Sequence, residues 1–247
     1  SVEVIAATAQ DGIALEDVDA VNVGTVVAVN VDRVQVDGSV AAQATTDVAG
    51  HTVSGATGAL VQKTVDGTLT VDDASGTQGG NILLQTQAGG DIVANAAVQS
   101  TSGSLSLDAA DGISLAGSGD LGTGSAGTVD LVAGTAVTLA DDAVVSAGTG
   151  KIRVAAEAGD VTLGGIQTGG DVAIQAAGAI LDGGDLHTDV VAQNALLNAG
   201  TTVGSTNDKL DTELAAIAAQ SQDGVFVEEG IPGADLTIGN VAFTGIN

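Results

Sequence analysis

Gly80-Asn81-Ile82-Leu83-Leu84, Gly103-Ser104-Leu105-Ser106-Leu107, Gly127-Thr128-Val129-Asp130-Leu131 and Gly150-Lys151-Ile152-Arg153-Val154 are four renderings of one phrase. Each opens on glycine and a polar residue and closes on an aliphatic-x-aliphatic couplet, the period-2 signature of a short strand with one face buried. With Val172 as the next member, the couplets begin at 82, 105, 129, 152 and 172, in steps of 23, 24, 23 and 20 residues. Further couplets stand between them at Ile113-Leu115, Val137-Leu139 and Val161-Leu163, so each step holds two or three short strands. A repeat of that size and content is one coil of a solenoid. Glycine also stands immediately before the next strand at Gly90, Gly159 and Gly170. These seven corners are expected to use glycine's freedom at positive φ, with the Asn, Asp, Ser or Thr that follows most of them closing the turn through its side chain.

Composition narrows the architecture and excludes several function classes. Of 247 residues 44% are hydrophobic but only two are aromatic, both Phe, so aliphatic side chains must fill the core. That apolar share argues against disorder, and the shortage of rings argues against a sandwich or barrel. The expected fold class is all-β: a parallel β-helix of roughly 11 coils, running as a single segment over 1–247 and about 50 Å long at about 4.8 Å per coil. Acidic side chains outnumber basic ones 31 to 5, a net charge of −26, which excludes nucleic acid and anionic membrane as partners. No apolar run reaches the roughly 18 residues that insertion into a bilayer requires. Cysteine is absent, so disulfides, thiol nucleophiles and cysteine-ligated zinc are excluded. Methionine is absent too, so Ser1 is expected to follow a processed or internal boundary.

A longer recurrence overlies the coils. Residues 2–17 align without gaps on residues 214–229 at an offset of 212, with Ile5-Ala6-Ala7 answered by Ile217-Ala218-Ala219, Gln10-Asp11-Gly12 by Gln222-Asp223-Gly224, and Glu16-Asp17 by Glu228-Glu229. After an insertion around Ile231-Pro232-Gly233 the match resumes, Val21-Asn22-Val23-Gly24 answering Leu236-Thr237-Ile238-Gly239. The chain is therefore expected to hold about one 212-residue super-repeat and the start of the next, and to neighbour further repeats of the same parent chain. The glycine-cornered couplets, together with Val203-Gly204-Ser205-Thr206-Asn207-Asp208-Lys209-Leu210, Leu214-Ala215-Ala216 and Asp223-Gly224-Val225-Phe226-Val227, resemble the repeats of filamentous-haemagglutinin-like proteins, giant bacterial adhesins and exoproteins. The resemblance implies a right-handed β-helix, an extracellular or bacterial cell-surface location, and a non-catalytic stalk or spacer role, with cell-surface glycan or another cell as the partner to be considered.

Chemistry is sought first in the acidic couplets Glu16-Asp17, Asp72-Asp73, Asp141-Asp142 and Glu228-Glu229. Calcium takes six to eight oxygen ligands, several from carboxylates, and stacked coils can bring acidic loops together. These eight residues are weak calcium candidates, calcium is the one cofactor the sequence admits, and a calcium-binding extracellular solenoid module is the alternative function. Neither the nonapeptide calcium repeat nor an EF-hand loop is present, so a solvated acidic face is the competing reading. Paired carboxylates also serve polysaccharide-acting β-helix enzymes, a further alternative. The five cations Arg33, Lys63, Lys151, Arg153 and Lys209 are scattered, however, and rings for sugar stacking are lacking. His51 and His187 are 136 residues apart, about six coils, and cannot share a site. Gly122-Thr123-Gly124-Ser125-Ala126-Gly127 satisfies G-x-G-x-x-G, but no helix pattern follows it, so a glycine-rich corner is expected. Leu210, Leu214, Ile217 and Ala218 have helical spacing, but the matching first copy carries the β-branched Val2 and Val4, so extended chain is expected, with a helical turn at 208–216 as the alternative.

Overall fold

The computed structural model describes residues 3–230 and 236–241. The insertion around Ile231-Pro232-Gly233 lies outside them, as does Val2. The fold is all-β, with no helix among the described residues, and three parallel ten-stranded sheets stack into a β-solenoid. Successive strands of the chain visit the three sheets in turn, so every third strand pairs with its predecessor one coil below.

The faces differ in chemistry. The long face carries strands such as Ile82–Thr86, Leu105–Ala109, Val129–Ala133 and Ile152–Ala156, each alternating buried and half-buried positions. Its register pairs Ile82 with Leu105, Leu105 with Val129, Val129 with Ile152 and Ile152 with Val172, the very positions from which the coil length was read. The short face carries three-residue strands such as Ile92–Ala94, Ile113–Leu115 and Val137–Leu139. The third, the hydroxyl face, includes Ser75–Thr77, Val98–Ser100 and Leu121–Thr123, whose inward positions end in Ser or Thr instead of a second aliphatic. Burial does not leave these hydroxyls unpaired. Thr77 Oγ1 and Ser100 Oγ lie 2.9 Å apart and both reach Gly80 O, and Thr123 Oγ1 donates to Gly127 O at 2.8 Å. A buried polar group so satisfied costs little, and here it fastens the corner to the strand.

The glycine corners work differently from the expectation. Of the seven, only Gly90 has positive φ, at +93°. The others are glycine because the coil below leaves no room. A Cβ on Gly103 would stand 2.2 Å from Gly80 O, one on Gly127 2.3 Å from Gly103 O, and one on Gly150 1.8 Å from Gly127 O. These glycines form a column in which backbone rests on backbone. The polar residue that follows also reaches to the next coil and not into its own turn: Asn81 Oδ1 accepts from Ser104 N at 2.9 Å and Asp91 Oδ1 from Gly112 N at 2.8 Å.

The segment with helical spacing is extended, with no helical turn: it runs strand, corner, strand, Leu210–Glu213 joining the hydroxyl face and Ala216–Gln220 the long face. Leu210, Leu214 and Ile217 all point inward because the chain turns a corner between them, which imitates a helical period. The copies of the 212-residue recurrence occupy different faces. Val4–Ile5, Ala7–Ala9 and Gly12–Asp17 run short, hydroxyl, long, whereas Ala216–Gln220, Gly224–Val225 and Val227–Glu229 run long, short, hydroxyl. Gly12 and Gly224 nonetheless share a backbone conformation, with φ of +144° and +143°.

An arm leaves the solenoid between Gly24 and Gly50, where Gly50 N donates to Gly24 O at 3.3 Å and closes its base. Thr25–Val26 pairs antiparallel with Val48–Ala49, and Asn30–Val34 pairs antiparallel with Val40–Ala44. Every residue of Asn30–Val34 is exposed, as are four of the five in Val40–Ala44. The arm explains why His51 pairs with Ala7, 44 residues away, about twice the usual coil.

Candidate functional site

The acidic couplets disperse over the surface, each with local work. Asp17 Oδ1 accepts from Asp19 N at 3.1 Å at the end of a long-face strand, beside exposed Glu16. Asp72 stands between Asn95, whose side-chain amide donates to it at 2.7 Å, and Asn22, which donates at 2.5 Å; these two bonds, Asn95's first, hold its carboxyl below the usual range. Asp73 Oδ2 accepts from Thr25 Oγ1 at 2.6 Å at the root of the arm. Asp142 presses its carboxylate against the Cα of Gly117, where a Cβ would be 1.9 Å away. Glu228 is paired with Lys209 at 2.6 Å, which lowers its pKa, while Glu229 lies 3.4 Å from Thr212 Oγ1. Glu16-Asp17 and Glu228-Glu229, equivalent in sequence, sit on the long and hydroxyl faces respectively. No two couplets come together in the cation-sized group that the described residues contain.

That group is Asp182, Asp185 and Asp208, each of which offers a carboxylate oxygen within 4.8 Å of the others. Two elements bring them together. After the short-face strand Ile180–Asp182 the chain turns through Gly183-Gly184, and Gly184 N donates to Asp182 Oδ1 at 2.7 Å. Gly183 N donates to Leu163 O at 2.8 Å, which presses the loop onto the coil below. Asp141 holds the loop from two coils below: its Oδ1 accepts from Leu186 N at 2.9 Å, and its carboxylate fills the space where a Cβ on Gly184 would stand. One coil above, Asp208 ends a tight turn in which Ser205 Oγ accepts from Asp208 N at 3.0 Å.

Behind the group lies Asp189, with no exposed surface. Its Oδ2 accepts from Asp211 N at 2.8 Å, and its carboxyl comes within hydrogen-bonding reach of that of Asp182. Burial pushes the Asp189 pKa up to about 8, with the neighbouring charges of Asp182 and Asp211 adding to it and the Asp211 amide opposing. Asp182 and Asp211 are also raised, both chiefly by burial and then by adjacent carboxylates. In front is an open cleft of about 400 Å³ walled by Asp185, Asp208, Asp211 and Glu228, with Lys209 turned to Glu228. The sequence reading named two residues of this neighbourhood, Asp141 and Glu228, and missed Asp182, Asp185, Asp189 and Asp208. The missed signal is coil arithmetic: Asp185 and Asp208 stand 23 residues apart, like Ile82 and Leu105, and Asp189 and Asp211 stand 22 apart.

A second concavity, of about 600 Å³, runs along the outside of the hydroxyl face, where Gly76 and Gly122 leave notches on either side of Gln99. Its walls are Thr, Ser, Gln, Gly and small aliphatics, without a carboxylate, a cation or a ring. His51 opens the hydroxyl-face strand His51–Val53, and His187 lies in the loop before Val190–Val191, six strands further along that stack. Gly122–Gly127 forms a strand end and a corner, as its sequence implied. Comparison with known proteins finds no family model, no curated protein and no solved structure that matches this chain, so its description is that of a β-solenoid repeat segment.

Proposed function

We propose that this chain is a spacer segment of a long extracellular protein of the filamentous-haemagglutinin-like kind, a rod that carries binding regions elsewhere in the parent chain away from the cell. The observation that supports this reading is the uniform ladder: three faces stay in step from Val4–Ile5 to Thr237–Ile238, each coil resting on the one before it. Stability in such a stack is the sum of nearly identical nearest-neighbour interfaces, so length can grow without a new core being designed. The interior column Leu60, Ile82, Leu105, Val129, Ile152, Val172 illustrates this, one aliphatic side chain per coil and all essentially unexposed. Acidity on the outside keeps such rods apart through mutual repulsion.

Two measurements test the reading. Small-angle scattering should give a monomeric rod whose solenoid portion is about 50 Å long, ten coils at about 4.8 Å. Arrays of bacterial and host glycans, and whole-cell binding assays, should show no saturable binding by the isolated segment. Saturable binding of a defined glycan by the 600 Å³ concavity would replace the spacer with a recognition module, and turnover of a polysaccharide would replace it with an enzyme.

A further inference from the structure

We infer that the returning strand of the arm, Val40–Ala44, is a pairing edge for the same strand of a second copy of this chain, the two arms joining about a two-fold axis into one four-stranded antiparallel sheet. The pairing goes beyond the spacer reading and does not depend on it; its repetition along a longer rod does. Among the described residues the three ten-stranded sheets end at the first and last coils, whereas the two-stranded ribbon of the arm leaves each of its strands with a free edge. The direction of its backbone groups follows from its closing bonds. Thr45 N donates to Val29 O at 3.1 Å and Gln35 N to Ser39 O at 2.8 Å. By the two-residue period of an antiparallel ladder, Val31 with Gln43 and Arg33 with Ala41 are then the hydrogen-bonded pairs between them. Val40, Ala42 and Ala44 therefore turn their N–H and C=O groups outward, away from their partner strand. Of these groups, Ala42 O accepts from the exposed Gln43 Nε2 at 3.0 Å, a cover that a side-chain rotation removes.

Proteins commonly blunt such an edge with lysine, proline, a bulge or a charge, and Val40–Ala44 has none of these. The run from Gly38 to Thr46 carries no charge, so the strand meets its own image without repulsion although the chain as a whole carries −26. The opposite edge, Asn30–Val34, has Asp32 at its centre and would set that carboxylate against its own copy. Pairing also supplies what the ribbon lacks, since two strands alone are marginal and four make a sheet that can hold the exposed Val34 and Val40. Arg33 favours an acidic neighbour: it is exposed and, unlike Lys151, Arg153 and Lys209, makes no ion pair among the described residues. Spacing selects a second copy over any other strand. The root of the arm, Val21-Asn22-Val23-Gly24-Thr25-Val26, is answered at an offset of 215 by Leu236-Thr237-Ile238-Gly239-Asn240-Val241. That interval is about nine coils, or roughly 40 Å at about 4.8 Å per coil. A rod of the same sequence carries its arms at the same interval, so a row of weak pairs acts together through effective concentration. One pair alone buries too little surface for a tight dimer, which leaves the isolated segment monomeric when dilute.

The test is sedimentation velocity of the 1–247 chain over a concentration series at physiological salt. Wild type should be a monomer at about 10 µM and shift toward the dimer as the concentration approaches about 1 mM, the weak range that one small contact allows. Two variants locate the contact. Ala42→Pro removes an outward N–H that the arm's own ladder does not use, and its ring blocks the edge. Val40→Asp with Ala44→Asp sets carboxylate opposite carboxylate across the two-fold axis. Both should keep the circular dichroism spectrum of wild type and weaken the dimer by about tenfold or more. The chain in which a short Gly-Ser link replaces residues 25–49 should stay monomeric throughout. The inference is overturned if wild type does not associate up to about 1 mM. It is equally overturned if association survives Ala42→Pro, the aspartate pair or loss of the arm, since the contact then lies on the end coils or faces of the solenoid. Neither result touches the spacer reading, which stands on rod length and the lack of ligand binding.

Discussion

His51 is the residue whose environment departs furthest from what its type would suggest. It has no exposed surface, sits where the arm rejoins the solenoid, and places Nε2 3.2 Å from Gln62 Oε1, itself buried. Burial lowers its pKa, an effect only partly offset by the Gln62 oxygen and the Gly50 carbonyl. Because the folded value lies below the unfolded one, the unfolded chain takes up the proton first on acidification. The contribution of His51 to stability is therefore complete above about pH 6.5 and declines below it toward the folded pKa. Asp189 acts with the opposite sign: its raised pKa gives a contribution that is lost as pH climbs through about 8. The His51 effect is isolated by comparing wild type with His51→Gln. Their difference in Tm should widen steadily in favour of the variant between pH 7 and pH 5, and a constant difference would show that the imidazole does not titrate on unfolding.

At the scale of the element, legibility follows from whether an inward position is aliphatic. Long and short faces announce themselves, since Ile82 and Leu84 or Ile113 and Leu115 bury both ends of a couplet. The hydroxyl face stays hidden because Ser75, Thr77 and Ser100 look like turn residues until the carbonyls that accept from them are known. The carboxylate site is hidden for a related reason: its members belong to different coils and meet only when the stacking register is fixed. The arm is hidden in a third way, since alternating valines such as Val29, Val31, Val34, Val36 and Val40 promise a buried face that does not exist. A two-stranded ribbon exposed on both sides adds little to stability. Replacing residues 25–49 by a short Gly-Ser link between Gly24 and Gly50 should shift Tm by less than about 4 °C, the equivalent of about 1 kcal/mol at this chain length. A fall several times larger would place the arm among the supports of the solenoid.

For the whole molecule, the glycine column and the ladders impose a single rule: all three faces must step together. Excising residues 103–126 joins Ser102 to Gly127 and puts Ile82, Ile92 and Val98 over Val129, Val137 and Val145, aliphatic over aliphatic on each face. That shortened chain should fold with a β spectrum and a cooperative melt within several degrees of wild type. Excising only 103–114 removes half a coil and sets aliphatic columns against outward positions, so it should yield no cooperative melt. Equal behaviour of the two deletions would show that the register is not what holds the stack.

The column at Gly80, Gly103, Gly127 and Gly150 has a consequence for how such a rod changes over generations. Where backbone bears directly on backbone, there is no side chain to absorb a misfit, so length can vary only in indivisible units. Each gain or loss is a complete turn encoded by about 20 to 24 codons, and reach becomes an integer trait, altered by recombination between neighbouring turns and protected from drift by single residues.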